Sequence, residues 1–171
     1  VRVGDPLQNA WKHCAILEKA DAQKVDILVF PELSLTGYTC QDLFFQDSLN
    51  DAALAGLGEI LDCSRLHPDV VAVVGLPVRL GCRMFNCAAV LSGGMVHGLV
   101  PKTYIPNYHE FYEKRWFSSG EDLHENQALL QIPGMPVQTV PVLPKALFAL
   151  ADGTVFGVEI CEDLWTPIPP S

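Results

Sequence analysis

Apolar residues along this chain fall into two patterns, one with helical spacing and one of short unbroken runs. After Asp5-Pro6, Trp11, Cys14, Ala15 and Leu17 recur at helical spacing, which predicts a first helix from an Asp cap and a leading proline to about Gln23. Residues 25–30 form a short, almost wholly apolar run, the pattern of a strand buried on both faces, and Pro31 ends it. A second helix is predicted over about 50–65, with Leu54, Leu57, Ile60 and Leu61 on one face. Residues 70–76 read as the second strand, closed by Pro77, and 84–91 as the third. Gly93-Gly94 signals a hairpin into a fourth strand over 95–100. Residues 101–126 are polar, aromatic and rich in turns, a long loop with one helical turn. A strand is expected over 137–142. Residues 146–151 and 154–160 then read as a hairpin about Asp152-Gly153 that delivers Cys161. Val1 to Val3 read as the remnant of a first strand. Buried strands, hairpins and covering helices together predict a mixed α/β sandwich.

Composition narrows the function. With 49% hydrophobic and 18% charged residues in 171, the chain has material for one folded domain with a sizeable core. A formal charge of −9 argues against non-specific nucleic-acid or anionic-membrane binding. No apolar run is long enough to span a bilayer, and no signal peptide is read at the start. The six cysteines are irregularly spaced in apolar segments, and no Cys/His spacing matches a zinc site. They read as reduced thiols of a cytoplasmic protein.

Three residues carry candidate chemistry. Glu32 follows a buried strand and a proline, where α/β sheets build their sites, and a carboxylate there can serve as a general base. The alternative is a turn salt bridge or an N-cap. Lys102 also follows a strand and a proline; it can stabilise an oxyanion, or it is a solvated surface lysine. Cys161 ends an apolar run and is a nucleophile or an inert core thiol. Its acidic neighbours Glu159, Glu162 and Asp163 disfavour a thiolate, so reactivity demands a nearby cation or base. Taken jointly, a base, an oxyanion stabiliser and a thiol describe amide hydrolysis through a thioester.

Residues 29–38 (Val-Phe-Pro-Glu-Leu-Ser-Leu-Thr-Gly-Tyr), 99–106 (Leu-Val-Pro-Lys-Thr-Tyr-Ile-Pro) and 158–165 (Val-Glu-Ile-Cys-Glu-Asp-Leu-Trp) resemble the Glu-Lys-Cys signatures of the nitrilase, or carbon–nitrogen hydrolase, superfamily. The flanks 38–44, 108–117 and 161–171 are similar to the glutaminase domain of glutamine-dependent NAD⁺ synthetases. The resemblance implies a nitrilase-like α-β-β-α sandwich. It also implies Glu32 as base, Lys102 as oxyanion stabiliser and Cys161 as nucleophile towards the side-chain amide of glutamine. The backbone N–H of Glu162 would share the oxyanion hole, and Tyr108, Phe111, Glu113 and Glu162 would line the glutamine pocket. Glu110 competes with Glu113 for the role of second carboxylate, and Glu113 is favoured. For Phe111, Tyr112, Trp116 and Phe117 a packed aromatic cluster is the alternative.

The resemblance implies no cofactor for the glutaminase step; ATP and Mg would belong to a synthetase domain that this chain lacks. Leu91-Ser92-Gly93-Gly94 is a hairpin turn, since the Asp and Ser of a pyrophosphate-gripping loop do not follow it. A full nitrilase domain is expected to continue beyond Ser171, so residues 1–171 are expected to be a C-terminally truncated domain. Such a chain should associate readily and hydrolyse glutamine weakly alone. Expected partners are glutamine, the synthetase domain of the same protein and further copies in a homo-oligomer. Other readings are an aliphatic amidase, carbamoylase or nitrilase, or a catalytically incomplete interaction domain.

Overall fold

The computed structural model of the chain describes residues 1–170; Ser171, the last residue of the proline-rich segment, lies outside them. The first helix, α1, spans Pro6–Ala22, with the Asp5 side chain accepting from the Gln8 N–H at its start. Its buried face runs through Asn9, Ala10, His13, Leu17 and Ala20, and Trp11 is 63% exposed. The polar members of that face serve the turn after the first strand, Asn9 donating to the Leu35 carbonyl and His13 bonding the Ser34 hydroxyl, while α2, spanning Asp47–Leu66, packs against α1. α2 contributes Ala53, Leu57, Ile60 and Leu61 to the core.

A four-stranded sheet follows the order β1-β2-β3-β4, formed by Ile27–Val29, Val71–Leu80, Arg83–Ser92 and Met95–Pro101. β1 is parallel to β2, and the other pairs are antiparallel. Two outcomes differ from the sequence reading. β1 is short and lies at the sheet edge, with Val29 67% exposed, so this apolar run is not buried on both faces. Pro77 does not close β2, which continues to Leu80. β1 stops pairing at Val73, so the proline sits where one side of β2 has no strand to receive a donor. Val1 to Gly4 form no strand; the Arg2 N–H donates to Asn9 Oδ1 and the Gly4 N–H to the Thr36 carbonyl.

The period of two along β2 and β3 sorts side chains between two apolar layers. Ala72, Val74, Leu76, Phe85, Cys87, Ala89 and Leu91 face the helices. Val73, Ala88 and Val90 face the other way, with Val100 and Ile160. That second face is covered by a hairpin of β7 (Leu147–Ala149) and β8 (Val155–Gly157), whose Phe148 and Phe156 rings stack 5.5 Å apart. Between these come β5 (Gln127–Leu130), which the sequence reading passed over, and its partner β6 (Gln138–Pro141). The layers are thus helices, sheet and hairpin, three of the four in an α-β-β-α sandwich. Among the described residues, no helix is long and apolar enough to cross a membrane.

Candidate active site

Glu32 and Lys102 follow β1 and β4, strands that run the same way in the four-stranded sheet, and Cys161 follows the hairpin that covers that sheet. Glu32 lies in the turn after β1. That turn crosses β2 so closely that a Cβ on Gly75 would sit 2.6 Å from the Pro31 carbonyl oxygen, so only glycine fits there. Leu33 takes up the turn at φ +50°, and the Leu35 N–H is then caught by the Gly75 carbonyl at 3.0 Å. Lys102 follows β4 directly, its N–H donating to the Asn86 carbonyl on β3 at 2.8 Å. Cys161 sits just past Ile160, which is buried in the apolar layer under the hairpin. Its own φ is +50°, a left-handed backbone that a non-glycine residue adopts only when its surroundings impose it.

Lys102 is no surface lysine. Its side chain is fully buried, and Nζ donates to Glu32 Oε1 at 2.7 Å and to both Glu113 oxygens at 3.0 Å. The salt bridge left open for Glu32 is therefore present, with Lys102 as its partner. Glu113, expected in the glutamine pocket, is instead 2% exposed with both oxygens turned to Lys102, and it also accepts from the Tyr38 hydroxyl at 2.6 Å. Burial pulls the Lys102 ammonium down, but Glu32 and then Glu113 outweigh it, and its pKa lies above the ordinary 10.5. Burial pushes the Glu113 carboxyl up, against the Tyr38 hydroxyl and Lys102, which hold it down. The Tyr38 phenol is pushed up by burial and by its bond to Glu113.

Cys161 borders a cavity of about 100 Å³ with Glu32, Asn86, Gly75 and Ile160. Its thiol is raised above 9.0, by burial first and then by Glu32, with Lys102 as the opposing cation and Glu113 and Glu162 adding to the rise. The resting sulfur is therefore a thiol that needs a base to attack. Of the other expected residues, Tyr108 donates from its hydroxyl to Glu162 Oε2 at 2.8 Å, and Phe111 lies edge-on to the Tyr108 ring at 5.9 Å. Tyr108 and Glu162 line a second cavity, with Thr103, Tyr104 and Thr166, and not the one that Cys161 shares with Glu32. Trp116 and Phe117 instead pack on Phe44, and Tyr112 on Trp116, the packed cluster held open as the alternative for them.

Three site residues escaped the sequence reading as individuals. Tyr38 caps Glu113, and Asn86 donates to Glu32 Oε1 at 2.6 Å. Asp163, counted only as an acidic neighbour, is 1% exposed and accepts from the backbone N–H groups of Thr103, Tyr104 and Ile160. It fastens the thiol's segment to the lysine's. Outside the site, Asp42 grips the Arg115 guanidinium at 2.7 and 2.8 Å, tying the Tyr38 segment to the turn that carries Glu113. Among the described residues, no cluster of three or more His, Cys, Asp or Glu side chains could hold a metal ion.

Residues 2–168 match the carbon–nitrogen hydrolase family. The chain belongs to that family. It is 38% identical over 172 residues to a glutamine-dependent NAD(+) synthetase of Mycobacterium leprae, with 99% of this chain and 24% of that protein covered. Identity to the Mycobacterium bovis protein of the same name is 41% over 175 residues, again with 99% and 24% covered. Among solved structures, a glutamine-dependent NAD(+) synthetase from Cytophaga hutchinsonii superposes with a TM-score of 0.72 at 27% identity, over 90% of this chain and 25% of that one. This carbon–nitrogen hydrolase chain spans about a quarter of the length of the relatives it matches.

Proposed function

We propose that this domain hydrolyses the side-chain amide of glutamine through a thioester on Cys161, supplying ammonia to a synthetase domain of the same protein that amidates deamido-NAD⁺. The observation that carries the reading is a buried lysine ammonium gripped by Glu32 and Glu113, beside a protonated thiol that shares a cavity with Glu32.

Glu32 takes the thiol proton as Sγ attacks the amide carbon, and the C=O π electrons move onto oxygen. In this reading Lys102 supplies its positive charge, and the backbone N–H of Glu162 a hydrogen bond, to that oxyanion. Collapse expels the amide nitrogen, which leaves as ammonia with the proton returned by Glu32. Water, deprotonated by Glu32, then attacks the thioester and releases glutamate and the thiol. Glu113 keeps Lys102 charged and placed. Tyr108, Phe111 and Glu162 hold the amino-acid end, where a carboxylate suits the substrate ammonium. ATP and Mg²⁺ belong to the synthetase step, and further copies of the chain complete the assembly.

The glutamine-analogue electrophile 6-diazo-5-oxo-L-norleucine tests the assignment. One adduct on Cys161 by intact mass, absent in Cys161→Ala, is expected. A chain in which Cys161 labels no faster than the other cysteines overturns it.

A further inference from the structure

Glu32 has two carboxylate oxygens, and the structure treats them differently. Both hydrogen bonds it receives fall on Oε1, from Asn86 Nδ2 at 2.6 Å and Lys102 Nζ at 2.7 Å. Among the described residues, none falls on Oε2. A carboxylate oxygen already holding two short, charge-assisted bonds has little lone-pair density left for a third proton. Asn86 is 1% exposed on β3, on the side of the sheet that faces the hairpin, and borders the same cavity as Cys161. Its amide orientation is fixed, because a flip would set Oδ1 against the carboxylate. In the orientation present, Asn86 Oδ1 is left with no partner, so the amide is turned to serve Glu32 rather than its own two ends.

We infer that Asn86 is a positioning residue which, with Lys102, occupies Glu32 Oε1 and leaves Oε2 as the oxygen that takes the thiol proton and returns it to the departing nitrogen. The inference rests on the glutaminase reading. Asn86 touches the base and not the substrate, so its loss acts on the chemical step and not on binding. The donor, not the volume, is what matters, so an isosteric acceptor at this position is worse than an apolar side chain.

The test uses inactivation of the 171-residue chain by 6-diazo-5-oxo-L-norleucine at pH 8, comparing wild type, Asn86→Leu and Asn86→Asp, with melting temperatures recorded for each. Asn86→Leu is expected to lower the maximal inactivation rate about tenfold with the half-saturating concentration within about twofold, and Asn86→Asp to lower it further. Equal rates in wild type and Asn86→Leu overturn the inference alone. So does a larger loss in Asn86→Leu than in the isosteric Asn86→Asp, which marks a packing role. A wild-type chain that takes no adduct at Cys161 sinks the glutaminase reading, and this inference with it. If Asn86→Asp does not fold, the separation of rate from half-saturation in Asn86→Leu decides.

Discussion

Asp163, two residues beyond Cys161, accepts the backbone N–H of Tyr104, two residues beyond Lys102, at 2.7 Å. The same carboxylate takes the N–H groups of Thr103 and Ile160, so one side chain closes both active-site turns. Asp163→Ala strands three backbone donors, the Thr103 and Ile160 N–H groups buried and the Tyr104 N–H part-buried. A loss of about 3 kcal/mol in urea unfolding is expected, together with slower Cys161 labelling. Unchanged stability would refute the staple.

Removing the lysine leaves two carboxylates facing each other in a buried space. Lys102→Met should lower stability by about 3–5 kcal/mol. Adding Glu113→Gln to it should restore part of the loss, because the second change removes the stranded charge. Additive losses in the double variant would show that the pair does not interact.

Lys102 also sets an alkaline limit. Its folded pKa is raised above its ordinary 10.5, so its contribution is fully present below that value and is lost as pH climbs through the folded one. Stability measured from neutral pH to about 10 should show no loss from this group, then fall. The Lys102→Met chain should lack that fall.

The thiol of Cys161 sits above 9.0 through burial and Glu32, with Glu113 and Glu162 adding to it. Its alkylation by iodoacetamide should therefore still be accelerating beyond pH 9.0. Glu162→Gln should move the rise to lower pH. No movement would remove Glu162 from the thiol's electrostatic surroundings.

Gly75 tests the turn that carries Glu32. A methyl there meets the Leu33 N–H and the Pro31 carbonyl, both backbone, so relief requires moving the turn. Gly75→Ala should lower stability by about 1–3 kcal/mol and slow labelling of Cys161 by more than the folded fraction accounts for.

Much of this site could be read from the chain because Glu32 and Lys102 each follow a strand and Cys161 an apolar run, although β8 ends at Gly157, short of the expected 160. Glu32 and Lys102 stand after an apolar run and a proline, and Cys161 after another. The supporting residues gave no such mark. Tyr38 meets Glu113 across 75 positions, Asn86 meets Glu32 across 54, and Asp163 meets Tyr104 across 59. Each looks ordinary in its own segment, and only packing reveals its partner. The misjudged elements have the same origin. Pro77 is a strand breaker in isolation, yet it is harmless where β1 has ended; the run at 25–30 reads as interior, yet Val29 lies at an edge.

The hairpin over the sheet has a consequence beyond burial. Phe156 is fixed by its stack on Phe148, and the few residues from there to Cys161 act as a ruler. Val158 and Ile160 dip into the apolar layer, and the thiol emerges one step later. One residue added between Val158 and Ile160 would put the sulfur into that layer and turn an isoleucine towards the carboxylates. Substitutions in this stretch can be absorbed locally, whereas a change in its length moves the nucleophile itself.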